Sequence, residues 1–186
     1  MISPRAVLAA AGLIALAVVL GAMGYVLFRR EVQPFAGFGV NPVGRTMEIA
    51  PHRAPDFTLY LFNGGTLRVA ELGGQAVIVN FWASWCPPCR DEARTLEAVS
   101  RQYRDRGVVF VGVNVWEAEA DARRFLQEFG VTYANGPDPM GRIVIEYGVT
   151  GLPETFGLTR DGLLVRRWIG PMNRSEAEAF VETLLQ

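Results

Sequence analysis

No lysine occurs anywhere in the chain, histidine occurs once and cysteine twice. The cations are therefore all arginine, and they are balanced by acids to a net charge of −1. No basic surface of the kind that binds nucleic acid follows from such a balance. Two cysteines and the single His52 fall short of the four ligands of a structural zinc site, which sets aside zinc for the Cys-x-x-Cys pair. A bridge across so short a loop removes little unfolded-state entropy, about 2 kcal/mol, so a purely structural staple is a poor use of the two cysteines.

What the chain does contain is Phe81-Trp82-Ala83-Ser84-Trp85-Cys86-Pro87-Pro88-Cys89-Arg90. Upstream, Gln75 to Phe81 is a β-branched apolar run that reads as a strand buried on both faces. Downstream, Ala93, Leu96, Val99 and Tyr103 recur at helical spacing over residues 91–106. The cysteines thus fall at a strand-to-helix junction, with Pro87 suited to the first helical turn. Free N–H groups and the helix dipole stabilise an anion there, which makes Cys86 the expected nucleophile and Cys89, less exposed, the resolving thiol. This context points to redox chemistry.

Residues 1–5 form a short tail, and residues 6–28 carry no charge between Arg5 and Arg29-Arg30. That length suffices for a transmembrane helix. A cleaved signal peptide is the alternative, but its apolar core is shorter and no small-residue cleavage site follows Tyr25-Val-Leu-Phe28. Flanking charges leave the orientation open, while the short tail favours an anchor with the bulk of the chain outside the cytoplasm. Residues 29–50, punctuated by Gly37, Gly39, Gly44, Pro34 and Pro42, read as a linker, and residues 51–186 as one domain.

Within the domain, Asp56 to Leu61 alternates as a strand before an Asn63-Gly64-Gly65 turn. Val108 to Val115 is a second buried strand, followed by helical spacing over residues 118–129. The β-α-β-α order implies a parallel pair at the sheet centre. Gly136-Pro137-Asp138-Pro139 reads as a turn ahead of a short helix, Arg142 to Tyr147. Residues 155–158 and 163–169 flank an Arg160-Asp161-Gly162 hairpin turn, and Ser175 with Glu178 forms a capping box for the last helix. The Asn173-Arg-Ser175 glycosylation triplet overlaps that cap and is read as coincidence.

Two motifs, Asn80-Phe-Trp-Ala-Ser-Trp-Cys-Pro-Pro-Cys89 and Tyr147-Gly-Val-Thr-Gly-Leu-Pro-Glu-Thr-Phe156, give residues 51–186 a resemblance to the membrane-anchored thioredoxin-like proteins of the TlpA, ResA and CcmG (DsbE) group. The resemblance implies an α/β thioredoxin-like fold, a central mixed sheet flanked by helices, behind one transmembrane helix. It also implies a cis-proline, Pro153, packed against the disulfide. Thioredoxin places an aspartate where this chain has Asn80. In the group, that departure comes with a glutamate three residues after the second cysteine, here Glu92, as the candidate proton acceptor. A solvated carboxylate in a first helical turn is the plain alternative for Glu92.

Trp85, Pro87, Pro88, Leu152 and Glu154 are the expected substrate groove, with Leu152 backbone groups free to pair with an added strand. Trp82 is expected in the core. Arg90 is expected to stabilise the thiolate or simply to lie on the helix surface. No cofactor or metal is implied beyond the Cys86/Cys89 disulfide.

The group reduces apocytochrome c at its haem-binding cysteines and takes electrons from a membrane donor of the CcdA or DsbD type. Copper-chaperone or oxidase thiols are its other targets. A non-catalytic thiol-binding module is an alternative of a different kind. A peroxidase would need a Thr-x-x-Cys spacing, and residue 83 is Ala.

Overall fold

The computed structural model describes residues 12–13, 15–23 and 39–186. The chain divides into two compact units, residues 1–36 and 37–186. In the first unit, residues 12–13 and 15–23 are helical with exposed side chains. Among the described residues no helix is long and apolar enough to cross a membrane. The remainder of the 6–28 span, together with residues 24–38, lies outside the described residues.

The second unit opens with β1 (Gly39–Val40) and β2 (Arg45–Arg53), then a small hairpin of β3 (Thr58–Tyr60) and β4 (Thr66–Arg68). The stretch read as linker is therefore partly built into the fold. β2 is nearly all exposed on its side chains, so it carries no apolar alternation by which a strand is recognised. After a 3₁₀ turn at Val69–Leu72 come β5 (Ala76–Trp82), α1 (Pro87–Tyr103), β6 (Val108–Val115) and α2 (Glu119–Phe129). They are followed by β7 (Ala134–Asp138), α3 (Arg142–Tyr147), β8 (Gly151–Leu152), β9 (Glu154–Leu158), β10 (Leu163–Ile169) and α4 (Arg174–Glu182).

Six strands form the main sheet in the order β2-β10-β9-β5-β6-β7. β5, β6 and β7 run parallel, while β9 lies antiparallel to β5 and β10 antiparallel to both β9 and β2. This is the expected mixed sheet. β5 alternates between two apolar clusters, Val77, Val79 and Phe81 on one face and Ala76 and Ile78 on the other. A strand covered on both faces has no polar side to show, which is why it reads as a continuous apolar run. Full burial of a side chain such as Phe81 or Phe156 stabilises by about 2 kcal/mol.

Two local expectations are corrected. Gly136-Pro137-Asp138 is not a turn but the end of β7, an edge strand where a proline deprives the ladder of little. The last helix is capped by Asn173, whose side chain accepts from the Glu176 N–H while Glu176 accepts from the Asn173 N–H. Ser175, in the first turn, instead donates its hydroxyl to Asn173 Oδ1. His52 lies exposed on β2.

Candidate active site

β5 ends at Trp82, and four residues later Cys86 stands at the N-cap of α1, its extended backbone (φ −89°, ψ 109°) leading into Pro87. Pro87 and Pro88 fill the first helical positions, where an N–H would lack a partner in any case. Cys86 and Cys89 form a disulfide with Cα atoms 5.3 Å apart, and the Cys89 N–H donates to Cys86 Sγ at 3.3 Å. An N–H aimed at that sulfur at a helix N-terminus is an arrangement that stabilises an anion. The expectation that Cys86 is the more exposed cysteine is not met. Cys86 is 0% and Cys89 2% exposed, with Pro88 also buried, while Pro87 and Trp85 are exposed.

The loop between β5 and α1 is held from β6. Glu117, just past the end of that strand, accepts from the Ser84 N–H at 2.9 Å, from the Ser84 hydroxyl and from the Asn114 side-chain amide. Trp116, beside it, is the non-glycine residue with a left-handed backbone, φ 48°, among the described residues. Its indole packs where a Cβ on Gly141 would intrude to 2.9 Å. Motif reading missed Glu117. The available signal was positional, since sites in open α/β sheets gather at the carboxyl ends of the parallel strands.

Trp82 is buried as expected, its indole N–H donating to Asn135 Oδ1 at 2.8 Å and its ring stacked on Phe125 at 4.4 Å. Arg90 reaches toward α2 and also donates to the Ser84 carbonyl at 3.5 Å. It pairs with Glu128 and lies over the Phe129 ring at 4.9 Å, the surface role of its two expected alternatives.

Glu92, one turn beyond Cys89, is 2% exposed, so it is not a solvated surface carboxylate. Its Oε1 accepts from Asn80 Nδ2 at 3.0 Å and its Oε2 from the Met172 N–H at 3.0 Å. Asn80 donates in addition to Thr155 Oγ1 at 3.0 Å. Burial pushes the Glu92 carboxyl up to about 8, against the two hydrogen bonds, which favour the ionised form. A cavity of about 10 Å³, room for one water, is lined by Asn80, Trp82, Cys89, Glu92 and Tyr133 among others. The carboxyl and the second cysteine therefore border one small shared pocket.

The peptide bond Leu152–Pro153 is cis, as the resemblance implied. Leu152 is fully buried and belongs to the same apolar cluster as Cys86 and Cys89. Glu154 does not face a groove. It is 0% exposed, accepts from the Thr150 N–H at 3.1 Å and hydroxyl at 2.7 Å, and pairs with Arg167 at 2.7 Å. It ties the turn before the proline to β10. Nor are the Leu152 backbone groups free, because the Asn41 N–H donates to the Leu152 carbonyl at 2.6 Å. Among the described residues, no cluster of three or more His, Cys, Asp or Glu is placed to hold a metal.

Residues 51–167 match the AhpC/TSA family. The chain is similar to the thiol-disulfide oxidoreductase ResA of Halalkalibacterium halodurans, 30% identical over 75% of this chain and 80% of that protein. It is likewise similar to the ResA of Bacillus anthracis, 26% identical over 92% and 93%. Among solved structures, a thioredoxin family thiol:disulfide interchange protein from Chlorobium tepidum is 27% identical, with a TM-score of 0.69 over 75% of this chain and all of that one. A secreted Mycobacterium tuberculosis disulfide oxidoreductase homologous to DsbE is 26% identical, with a TM-score of 0.63 over 69% and 96%.

Proposed function

Because the chain belongs to the AhpC/TSA family and is a thiol:disulfide oxidoreductase of the ResA and DsbE type, we propose that it is a reductant tethered outside the cytoplasm, acting on the haem-binding cysteine pair of apocytochrome c. The uncharged stretch at residues 6–28 supports the tether, and the two motifs that carry the group resemblance support the substrate. The observation that carries the thiol-exchange chemistry is the buried Glu92 beside Cys89, with its carboxyl raised to about 8.

The steps follow from thiol exchange. The Cys86 thiolate attacks one sulfur of the substrate disulfide, forming a Cys86-substrate bond and releasing the other substrate sulfur as a thiolate that takes up a proton. Cys89 must then lose its proton to attack Cys86. A carboxylate whose pKa is raised to about 8 is a stronger base than an ordinary one, and in its ionised form it takes that proton, directly or through one water in the shared cavity. Attack by Cys89 closes the intramolecular disulfide and frees the reduced substrate. Two electrons have passed to the substrate, and a membrane dithiol donor of the CcdA or DsbD type restores the Cys86/Cys89 pair.

The experiment is the reduction potential of the pair in the full-length protein, followed by trapping with a Cys89→Ser variant. A potential near that of thioredoxin, about −270 mV, and a stable mixed disulfide with an apocytochrome haem-binding peptide are the expected results. A potential near −120 mV, that of a strong oxidant, overturns the direction. Preference for copper-chaperone peptides over the haem-binding peptide overturns the substrate.

A further inference from the structure

β1 lies parallel on β8, Gly39 opposite Gly151 and Val40 opposite Leu152. The Gly39 N–H donates to the Thr150 carbonyl at 3.2 Å and the Asn41 N–H to the Leu152 carbonyl at 2.6 Å. Asn41 Nδ2 donates further to the Pro153 carbonyl at 3.3 Å. The Thr150 and Leu152 carbonyls form the edge of the segment leading into Pro153 that β1 covers, and Leu152 shares an apolar cluster with Cys86 and Cys89. An extended substrate peptide that adds a strand beside the disulfide needs that same edge.

The seat is shaped for this segment. A Cβ on Gly151 would lie 2.5 Å from the Gly39 carbonyl oxygen, and one on Gly170 would lie 2.3 Å from the Val43 carbonyl oxygen. Glycines at these points let residues 39–44 run tightly against 150–153 and 170–171. The strand itself is slight. It has two residues, and both side chains are exposed. Few apolar contacts and an exposed backbone edge define a segment that opens locally at low cost.

We propose that β1 is a resident strand that occupies the peptide-binding edge in the resting enzyme, and that an extended, cysteine-bearing segment of an unfolded protein displaces it. The proposal rests on the oxidoreductase reading of the same site. The resident segment is covalently attached and so present at high effective concentration, which lowers the apparent affinity for every peptide that needs its place. Its sequence, Gly39-Val40-Asn41, also describes the partner: a flexible strand without bulky side chains at the closest approach. Folded proteins lack such a free segment and are excluded.

The test uses the full chain. In the Cys89→Ser variant, Cys86 is allowed to form mixed disulfides with an unstructured peptide disulfide of arbitrary sequence, with the haem-binding peptide and with a small aromatic disulfide. Amide hydrogen exchange is followed at Gly39 and Asn41. Both amides are expected to be protected in the free protein and to lose protection with either peptide, but not with the small disulfide. In parallel, Asn41→Pro, which removes both Asn41 donors, is expected to lower the KM for peptide disulfides about tenfold and to leave the reaction with the small disulfide unchanged. Retained protection in the peptide-linked forms, or an unchanged KM with intact fold, overturns the proposal. Loss of protection with the arbitrary peptide, without preference for the haem-binding one, upholds it while overturning the substrate assignment above.

Discussion

Asn80 donates its side-chain amide to Glu92 Oε1 at 3.0 Å, so the carboxyl one turn beyond Cys89 is faced by a group that cannot titrate. Proton traffic in the buried space beside Cys89 thus falls to Glu92, and Asn80 holds it in place from β5. Two consequences follow for pH, one for stability and one for rate.

Glu92 has an ordinary carboxyl pKa in the unfolded chain, near 4.5, and one of about 8 in the fold. Between those values the native state holds a proton that the unfolded state releases, so stability falls as pH rises. The contribution is fully present below 4.5 and gone above 8, at roughly 1.4 kcal/mol per pH unit across the window. Glu92→Gln removes the dependence. A glutamine offers one oxygen to the two donors Asn80 and Met172, which costs about 1–3 kcal/mol. Chemical denaturation should therefore find the variant less stable at pH 5, with the gap closing and then reversing before pH 8.

The same substitution should slow the step in which Cys89 displaces the substrate. General-base catalysis typically contributes at least ~100-fold. Stopped-flow release of substrate thiol near neutral pH should fall by about that factor in Glu92→Gln, and recover above the pKa of an ordinary thiol. Formation of the mixed disulfide at Cys86 should change little.

Glu117 gathers three donors from Ser84 and Asn114 and so fixes the loop that presents Cys86 to the helix N-terminus. Glu117→Ala should loosen that loop. The expected results are a stability loss of about 1–2 kcal/mol and a rise in the pKa of the reduced Cys86 thiol. Thiolate absorbance titration measures the second. A stability loss with no change in the thiol would reduce Glu117 to a structural brace.

Glu154 is wholly buried and pairs with Arg167, whose side chain is 14% exposed. Arg167→Met leaves a buried carboxylate without its cation. Such a change costs about 3–5 kcal/mol, whereas Arg167→Met combined with Glu154→Gln should recover much of the loss. Denaturant titration of the single and double variants gives the comparison directly.

Gly112, on β6, faces Asn135 and Trp82, and a Cβ there would fall 1.7 Å from Asn135 Oδ1. Gly112→Ala should break the Trp82–Asn135 hydrogen bond and crowd the core at once. Trp82→Phe breaks only the bond and part of the stack. The alanine variant is expected to be the less stable of the two by about 1 kcal/mol or more, as measured by thermal unfolding.

Residues that act on near neighbours were legible in the sequence. β6 and the short helix Arg142–Tyr147 have the expected bounds, because their signals are a local apolar run and a glycine-punctuated helical period. The placement of Cys86 at a helix N-terminus followed from ten consecutive residues. What escaped depends on distant parts of the chain. β2 is held by pairing with β10, and its own side chains carry no pattern. Glu117 and Arg167 show their roles only once β6 and β10 bring them to Ser84 and Glu154. Around the last helix, Asn173/Glu176 and Ser175/Glu178 are two overlapping capping frames. Backbone geometry chose the first.

The hydrogen bond from the Met172 N–H to Glu92 carries a consequence at the far end of the chain. Met172 immediately precedes the Asn173 cap of the last helix, so the carboxyl at the redox centre and the seat of that helix share one contact. An ionised acceptor binds an amide more strongly than a neutral one. Each proton that reaches Glu92 therefore slackens the docking of the C-terminal helix, and each proton that leaves tightens it. The carboxyl terminus becomes a gauge of charge at the disulfide, readable from the exchange rate of a single amide.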